Sequence, residues 1–308
     1  MTERLTICTP TYLRPEGLKR LLDAVDGLEP VDGIEVRMVI VDNDPERSAA
    51  WVEGRRVLDE PVVYAPESKR GITFARNRAL REAAAVDTDW IAWLDDDEAP
   101  RPDWLTSIVG TQRRTGADVV SGPSEPIYEP DAERWIIDTG AFDRDRFETD
   151  AAFPFFHART SGVIHRADIV PSDGFDDRLA LIGGEDRVFF TRIHRAGHTF
   201  RWDDGAVVDE WVPTSRVQIG WLVRRWFRTG VTRSLTLLYL DDPPWPRRLR
   251  RVAGGTLMAG SGLVTTVGAI PGGRSRILAA FRRFLLGAGA AWGALGFGFE
   301  EYREVHGQ

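Results

Sequence analysis

The densest chemistry in this chain stands at Trp90-Ile91-Ala92-Trp93-Leu94-Asp95-Asp96-Asp97-Glu98, where an apolar run ends in four consecutive acids. Adjacent carboxylates repel one another, and a chain tolerates them when they fan into solvent or share a hard divalent cation. A solvated acidic turn that caps the next helix is the plainer use of the same residues. Val39-Ile40-Val41-Asp42-Asn43-Asp44 is built the same way. Two acid-terminated strands in one parallel sheet would face a common crevice, which is where open α/β sheets bind ligands.

Two further constellations carry charge at helix starts. In Ser68-Lys69-Arg70-Gly71-Ile72-Thr73-Phe74-Ala75-Arg76-Asn77-Arg78 a glycine and cations precede and line a helix, so free N–H groups with Arg70 or Arg76 would hold an anion. Salt bridging to neighbouring acids is the alternative, and Arg78 points to the surface. Gly183-Gly184-Glu185-Asp186 puts two carboxylates into a first helical turn. Helix capping would explain one acid there; two acids after two glycines also suit a general base held rigidly against an alcohol. The histidines show no metal spacing, and His165 and His194 are expected to be structural.

These residues need elements to position them. Up to about residue 120, short β-branched runs (Leu5–Cys8, Val36–Val41, Val62–Ala65, Trp90–Leu94, Asp118–Ser121) alternate with helical spacing over Glu16–Val25, Thr73–Ala85 and Trp104–Arg114. That alternation predicts an α/β fold with a mostly parallel central sheet flanked by helices. Residues 122–160 break into Pro, Asp, Arg and aromatics and read as an excursion over the ligand face. Regularity returns with a strand at Thr160–His165, a helix at Arg187–Arg195 and a strand at His198–Trp202.

With 308 residues, 43% hydrophobic and 28% charged, the chain can bury a proper core, which excludes disorder and coiled coil for the whole. The single cysteine, Cys8, excludes a disulfide framework and fits a reducing compartment. No signal peptide is visible before the first strand. The net charge of −7 argues against nucleic-acid binding but hides a split. Residues 216–285 hold 13 Arg against Asp241 and Asp242, whereas 1–215 are strongly acidic. We therefore expect a catalytic domain at 1–215 and a basic, Gly-rich helical region at 216–308. Within that region Val252–Gly273 and Phe284–Phe299 carry no charge and are flanked by arginines. The first is long enough to span a bilayer, for which about 20 residues suffice, but its Gly, Thr and Ser suit a buried or interfacial helix equally. The second is short, which points to an interfacial position.

Taken in order, Thr9-Pro10-Thr11-Tyr12-Leu13-Arg14-Pro15, Val41-Asp42-Asn43-Asp44, Gly71 with Ala75-Arg76-Asn77, Asp95-Asp96-Asp97 and Gly184-Glu185-Asp186 resemble glycosyltransferase family 2. Within it the chain is similar to bacterial exopolysaccharide glycosyltransferases of the succinoglycan type. The resemblance covers roughly residues 4–230 and implies a GT-A fold, the Rossmann-like architecture of nucleotide-diphospho-sugar transferases. It also implies an inverting transfer of one sugar from a UDP- or GDP-linked donor, with Mg²⁺ or Mn²⁺ neutralising the departing nucleoside diphosphate. Asp97 matches the direct metal ligand, and Asp95 a ribose contact that shares the metal with it; Asp96, between them, is expected among the donor-binding residues. Asp42 matches the acid that recognises the base, Pro10, Thr11 and Tyr12 line the same pocket, and Arg76 pairs with the nucleotide or orients the acids. Asp186 is the expected base, with Glu185 orienting the acceptor. Glu210 is a candidate third metal ligand, and Arg225 and Arg228 would meet the diphosphate.

Processive members carry a QxxRW motif; here Gln218 is followed by Ile219-Gly220-Trp221-Leu222, and Arg225-Trp226 comes too late. That favours transfer of a single sugar. The basic region would attract an anionic membrane surface, placing the enzyme in the cytoplasm, peripheral to or anchored in the cytoplasmic face of the inner membrane, where a lipid-linked glycan acceptor is found. It would alternatively pack on the body or form a homo-oligomer. Transfer to polyprenyl phosphate and a non-catalytic membrane-associated scaffold are the competing readings. A dinucleotide-binding oxidoreductase is excluded because Thr9-Pro10-Thr11-Tyr12 stands where a GxGxxG loop belongs.

Overall fold

The computed structural model describes residues 2–298. Its strands are β1 (Glu3–Thr11), β2 (Ile34–Asp42), β3 (Arg56–Val57), β4 (Glu60–Pro61), β5 (Val63–Pro66), β6 (Trp90–Trp93), β7 (Glu98–Pro100), β8 (Val119–Ser121), β9 (Ser124–Tyr128), β10 (Val163–Arg166), β11 (Phe200–Trp202) and β12 (Val208–Val212). The helices are α1 (Pro15–Asp26), α2 (Ile72–Ala85), α3 (Trp104–Thr115), α4 (Arg134–Ile137), α5 (Glu185–Arg195), α6 (Ile219–Asp241), α7 (Trp245–Gly268) and α8 (Arg274–Ala294).

Seven strands form the central sheet in the order β11-β8-β10-β6-β1-β2-β5. All neighbours run parallel except β10, which is antiparallel to both β6 and β8. The sheet is covered on both faces, as a largely parallel sheet requires. One face packs Leu18, Leu21 and Val25 of α1 with Leu105 and Ile108 of α3; the other packs Ala75, Ala79 and Ala83 of α2 with Phe189, Phe190 and Ile193 of α5. The apolar 3.6-residue spacing in α1 and α5 thus becomes a buried stripe. Pro15 starts α1, where its missing N–H costs nothing.

In register, Thr11 lies opposite Asp42, and Cys8 opposite Trp93. The carboxyl ends of β1, β2 and β6 therefore share one edge, and the acids that follow β6 emerge there. A second, three-stranded sheet, β7-β12-β9, was not visible in the sequence. Its strands are short and include Pro100 and Pro126, which mask β character. It pairs Glu210 with Glu98 and carries both toward the same edge.

The C-terminal helices pack against the rest of the chain. Trp221, Leu222 and Trp226 of α6 share a core with Ile136, Phe142 and Val212. Helix α8 lies against both α6 and α7, and Gly255 and Gly262 of the first charge-free stretch and Gly287, Gly289 and Gly293 of the second sit at the crossings, whereas Gly254, Gly260 and Gly268 have open space around them. A Cβ on Gly255 would stand 2.6 Å from the Ala291 nitrogen, and Gly262 and Gly287 are as closely covered by the opposing backbone. Helix–helix approach thus accounts for the glycines at the crossings. Among the described residues no helix is long and apolar enough to cross a membrane. Val252–Gly273, for which the sequence leaves a span and a buried or interfacial helix equally open, forms the greater part of α7 and a 3-10 turn (Ile270–Gly272), with α7 packed against α8. Phe299, the end of the second stretch, and residues 300–308 lie outside the described residues.

Candidate active site

A cavity of about 970 Å³ opens along the shared strand edge and is walled by both the sheet and α6. Pro10 and Thr11 at the end of β1 and Tyr12 just after it line the cavity, and Arg70 stacks its guanidinium 5.2 Å over the Tyr12 ring. The Asn43 side chain holds the opposing loop, donating to the carbonyls of Glu67 (2.9 Å) and Lys69 (2.8 Å) and accepting from the Gly71 N–H (2.8 Å). Gly71 adopts φ +143°, and a Cβ there would strike Ala180. Asp42, expected to face the ligand, is instead fully buried behind this wall. Its carboxylate accepts from the Ala49 N–H (2.7 Å) and the Tyr64 hydroxyl (3.0 Å), so its work is to fix the turn after β2, while Asn43 lines the cavity.

The acids after β6 are met by guanidinium groups. Arg14 donates to Asp96 (2.9 Å) and Asp97 (3.0 Å), and Arg216 donates to the same Asp97 oxygen at 3.0 Å. Asp96 also accepts from the Thr11 hydroxyl at 2.8 Å and is 5% exposed, so it braces the edge from within. Burial disfavours charge on Arg14, yet Asp96 and Asp97 more than offset it and raise its pKa. Asp95 receives one bond from Arg76 (3.2 Å), and its N–H donates to Glu98 at 3.0 Å. Burial pushes the Asp95 carboxyl up to about 7; Arg76 opposes this and Asp97 and Asp96 add to it. Burial, then Asp95, also holds Glu98 well above the usual carboxylate range.

One oxygen each of Asp95 (Oδ2) and Asp97 (Oδ1) takes no hydrogen bond from a described residue, and both side chains line the cavity. Two hard oxygen donors facing a cavity fit Mg²⁺ or Mn²⁺, which are commonly held by one or two carboxylates together with substrate phosphates. Glu210, expected as a third ligand, also lines the cavity: its Oε2 accepts from Arg144 and from the Ser124 hydroxyl (3.0 Å), and its Oε1 takes no hydrogen bond from a described residue. Burial would raise its pKa, but Arg144, Arg225 and Arg216 hold it at about 2. Among the described residues no three His, Cys, Asp or Glu side chains converge as a metal cluster.

Arg76 links the two halves of the cavity. Almost wholly buried, it forms ion pairs with Asp95 on one side and Glu185 on the other. Glu185 is buried, and its second oxygen takes no hydrogen bond from a described residue. Asp186, one residue on, faces the cavity; its Oδ1 accepts from the Arg187 N–H at 2.6 Å and its other oxygen takes no hydrogen bond from a described residue. Burial raises the pKa of both acids, with Arg76 opposing. Gly184, at φ +86°, starts α5 so close to α6 that a Cβ would collide with the Thr232 methyl group. Only glycine combines that φ with that approach.

Arg225 and Arg228 also line the cavity. Arg225 lies over the Trp221 ring at 4.9 Å, and burial, then Arg144, lowers its pKa to about 9 despite Glu210. Arg78 pairs with Glu82 along α2. His165 accepts from the Trp93 indole at 3.0 Å while burial lowers its pKa to about 4, and His194 stacks on Phe155. The sequence reading missed Arg144, Arg216, Asn43 and the inward position of Glu98. Arg14 stood inside a quoted motif without a role; Arg144 and Arg216 lie in irregular segments that gave no signal.

Residues 6–168 match the family described as Glycosyl transferase family 2. Over 242 residues the chain is 36% identical to the succinoglycan biosynthesis protein ExoM of Rhizobium meliloti, covering 77% of this chain and 76% of that one. It is 28% identical over 268 residues to a pre-mycofactocin glycosyltransferase of Mycobacterium tuberculosis, covering 83% of this chain but only 51% of that protein. The structure of S. aureus TarS 1-349 in complex with UDP shares the fold, with a TM-score of 0.53 at 14% identity over 92% of this chain and 89% of that one. The fold is therefore that of these transferases, and the chain belongs to glycosyl transferase family 2 and is a glycosyltransferase.

Proposed function

We propose that the protein transfers one sugar from a UDP- or GDP-linked donor to a hydroxyl of a lipid-linked glycan acceptor in bacterial exopolysaccharide assembly. The similarity to the succinoglycan protein supports the biological setting. The observation that carries the chemistry is the Arg76 bridge, which ties the donor-side Asp95 to the acceptor-side Glu185 and so fixes the distance between the two half-sites.

In this reading Pro10–Tyr12 and Arg70 hold the nucleotide, and Arg225 and Arg228 face its diphosphate. Mg²⁺ or Mn²⁺ held by Asp95 and Asp97 would supply Lewis-acid stabilisation of the departing charge. Asp186, with an oxygen open to the cavity, accepts the proton of the acceptor hydroxyl. The acceptor oxygen bonds to the anomeric carbon as the bond from that carbon to the β-phosphate oxygen breaks. The electron pair leaves with the nucleoside diphosphate, and this single displacement inverts the anomeric centre. Glu185, locked to Arg76, keeps α5 in place and orients the acceptor. Because Asp186 is raised by burial, turnover should fall with acid at a higher pH than an ordinary carboxylate would give.

Residues 1–215 would perform the transfer and the C-terminal helices bring the enzyme to an anionic membrane surface. Helix α7 supports this, since Leu257 (75% exposed), Val264 (71%) and Val267 (60%) lie bare between Arg250 and Arg251 at one end and Arg274 and Arg276 beyond the other. An apolar face with cations at its ends suits the interface of an anionic bilayer.

Calorimetric titration with UDP and GDP, with and without Mn²⁺, tests the donor side. One nucleotide should bind in a metal-dependent way, Asp97→Asn should abolish that binding, and Asp186→Asn should keep it while lowering turnover about 10²–10⁴-fold. Full activity in Asp186→Asn would pass the role of base to Glu185 or another group.

A further inference from the structure

Beyond Asp186 the cavity changes character. Its wall there is made by Arg187 of α5, Arg233 of α6 and Arg282 of α8, with Thr229, Thr232 and Leu286 between them. The packing that gathers them is specific. Gly184 seats the start of α5 on Thr232, which brings Arg187 beside Arg233. A Cβ on Gly230 would meet the Leu286 carbonyl, so α8 rides on α6 at that point, and Arg282, one turn before Leu286, shares its face. Among the described residues none of these three arginines forms an ion pair with a carboxylate, in contrast to Arg14, Arg76, Arg144 and Arg216.

We propose that Arg187, Arg233 and Arg282 form a second anion subsite, distinct from the one for the donor, which takes the phosphate or diphosphate group carried by the acceptor. This rests on the transferase reading and adds where the acceptor's charge sits. Guanidinium groups gathered in one wall with no ion-paired acid among the described residues repel one another, and a phosphate that accepts forked hydrogen bonds relieves this. Burial, then Arg187 and Arg282, lowers the pKa of Arg233, with Asp145 the acid that opposes them; burial lowers Arg187 against Asp186. The ring of Phe156, 44% exposed, lies 5.6 Å under Arg187 and offers an apolar surface beside the charge. An acceptor anchored here would present its nearest sugar hydroxyls to Asp186, the residue adjoining Arg187.

The test compares anion binding with nucleotide binding. Inorganic pyrophosphate and geranyl diphosphate are titrated without metal into the wild type, Asp97→Asn and the Arg233→Gln/Arg282→Gln double variant; UDP and GDP with Mn²⁺ are titrated into the same three. Both replaced arginines reach the cavity surface, and a thermal melt checks folding. The double variant should lose tenfold or more in diphosphate affinity while keeping nucleotide affinity, and Asp97→Asn should do the reverse. Tighter binding of geranyl diphosphate than of pyrophosphate would identify a lipid-linked source, and equal binding a free diphosphate. Unchanged diphosphate affinity in the double variant overturns the proposal, as does an equal loss for the nucleotide, which would assign these arginines to the donor. Failure of every nucleotide to bind the wild type would instead count against the donor reading.

Discussion

The two ends of the cavity hold opposite charges under opposite rules. At the β6 end, Asp95, Asp96 and Asp97 are each met by a guanidinium from Arg76, Arg14 or Arg216, so the acids are compensated by the fold itself. At the α6–α8 end, Arg187, Arg233 and Arg282 gather without an ion-paired acid among the described residues. Charge taken out of water must be paired or it destabilises the fold. The acids are paired within the chain, whereas Arg187 and Arg282 are half-buried and Arg233 is exposed, so that water solvates them until a ligand does. The contrast separates an edge that must be rigid before substrate arrives from a wall that substrate completes.

Breaking the compensated end should have the largest effect. Arg76→Met would leave Glu185 and Asp95 without their shared cation, and we expect a loss of about 3–5 kcal/mol at neutral pH by denaturant unfolding. The loss should shrink as pH is lowered, because protonation discharges both acids; a pH-independent loss would mean that packing, not charge, is what Arg76 supplies.

A smaller effect concerns a group behind that edge which is buried by staying neutral. His165 has a folded-state pKa of about 4, below its ordinary value of 6.5, so the unfolded chain binds its proton first. Its stabilising contribution is complete above about pH 6.5 and is lost as pH falls toward 4, amounting to about 2 kcal/mol by pH 5. His165→Gln, which keeps an acceptor for Trp93, should flatten the pH dependence of stability between pH 7 and 5; an unaltered slope would show that other groups titrate there.

The smallest effect on folding is expected at the exposed face of α7. Leu257→Ser/Val264→Ser should change stability by less than about 0.5 kcal/mol yet reduce sedimentation with phosphatidylglycerol vesicles. Retained sedimentation would remove this face as the membrane contact.

Much of this was legible locally. The alternation of β-branched runs with helical spacing announced the sheet, and the run Trp90–Leu94 ended in acids where a ligand crevice belongs. The glycine-rich stretches left their placement open because composition alone cannot distinguish a helix bare to lipid from one that meets another backbone; Gly255, Gly262 and Gly287 meet one. Asp42 and Asn43 are adjacent in sequence, and only the turn after β2 decides which of them faces the cavity. The three-stranded sheet was hidden because Glu98, Ser124 and Glu210 look like loop residues until their strands pair.

The sequence by itself determined the α/β order, the acidic strand edge and the paired acids at the start of α5, since each depends on residues a few positions apart. Tertiary structure alone decided which arginine meets which acid. Arg14 reaches Asp96 across 82 residues, Arg216 reaches Asp97 across 119, and Arg76 reaches Glu185 across 109. Electrostatic pairing acts through space, and no local pattern in a chain records which distant charge the fold will bring within a few ångströms.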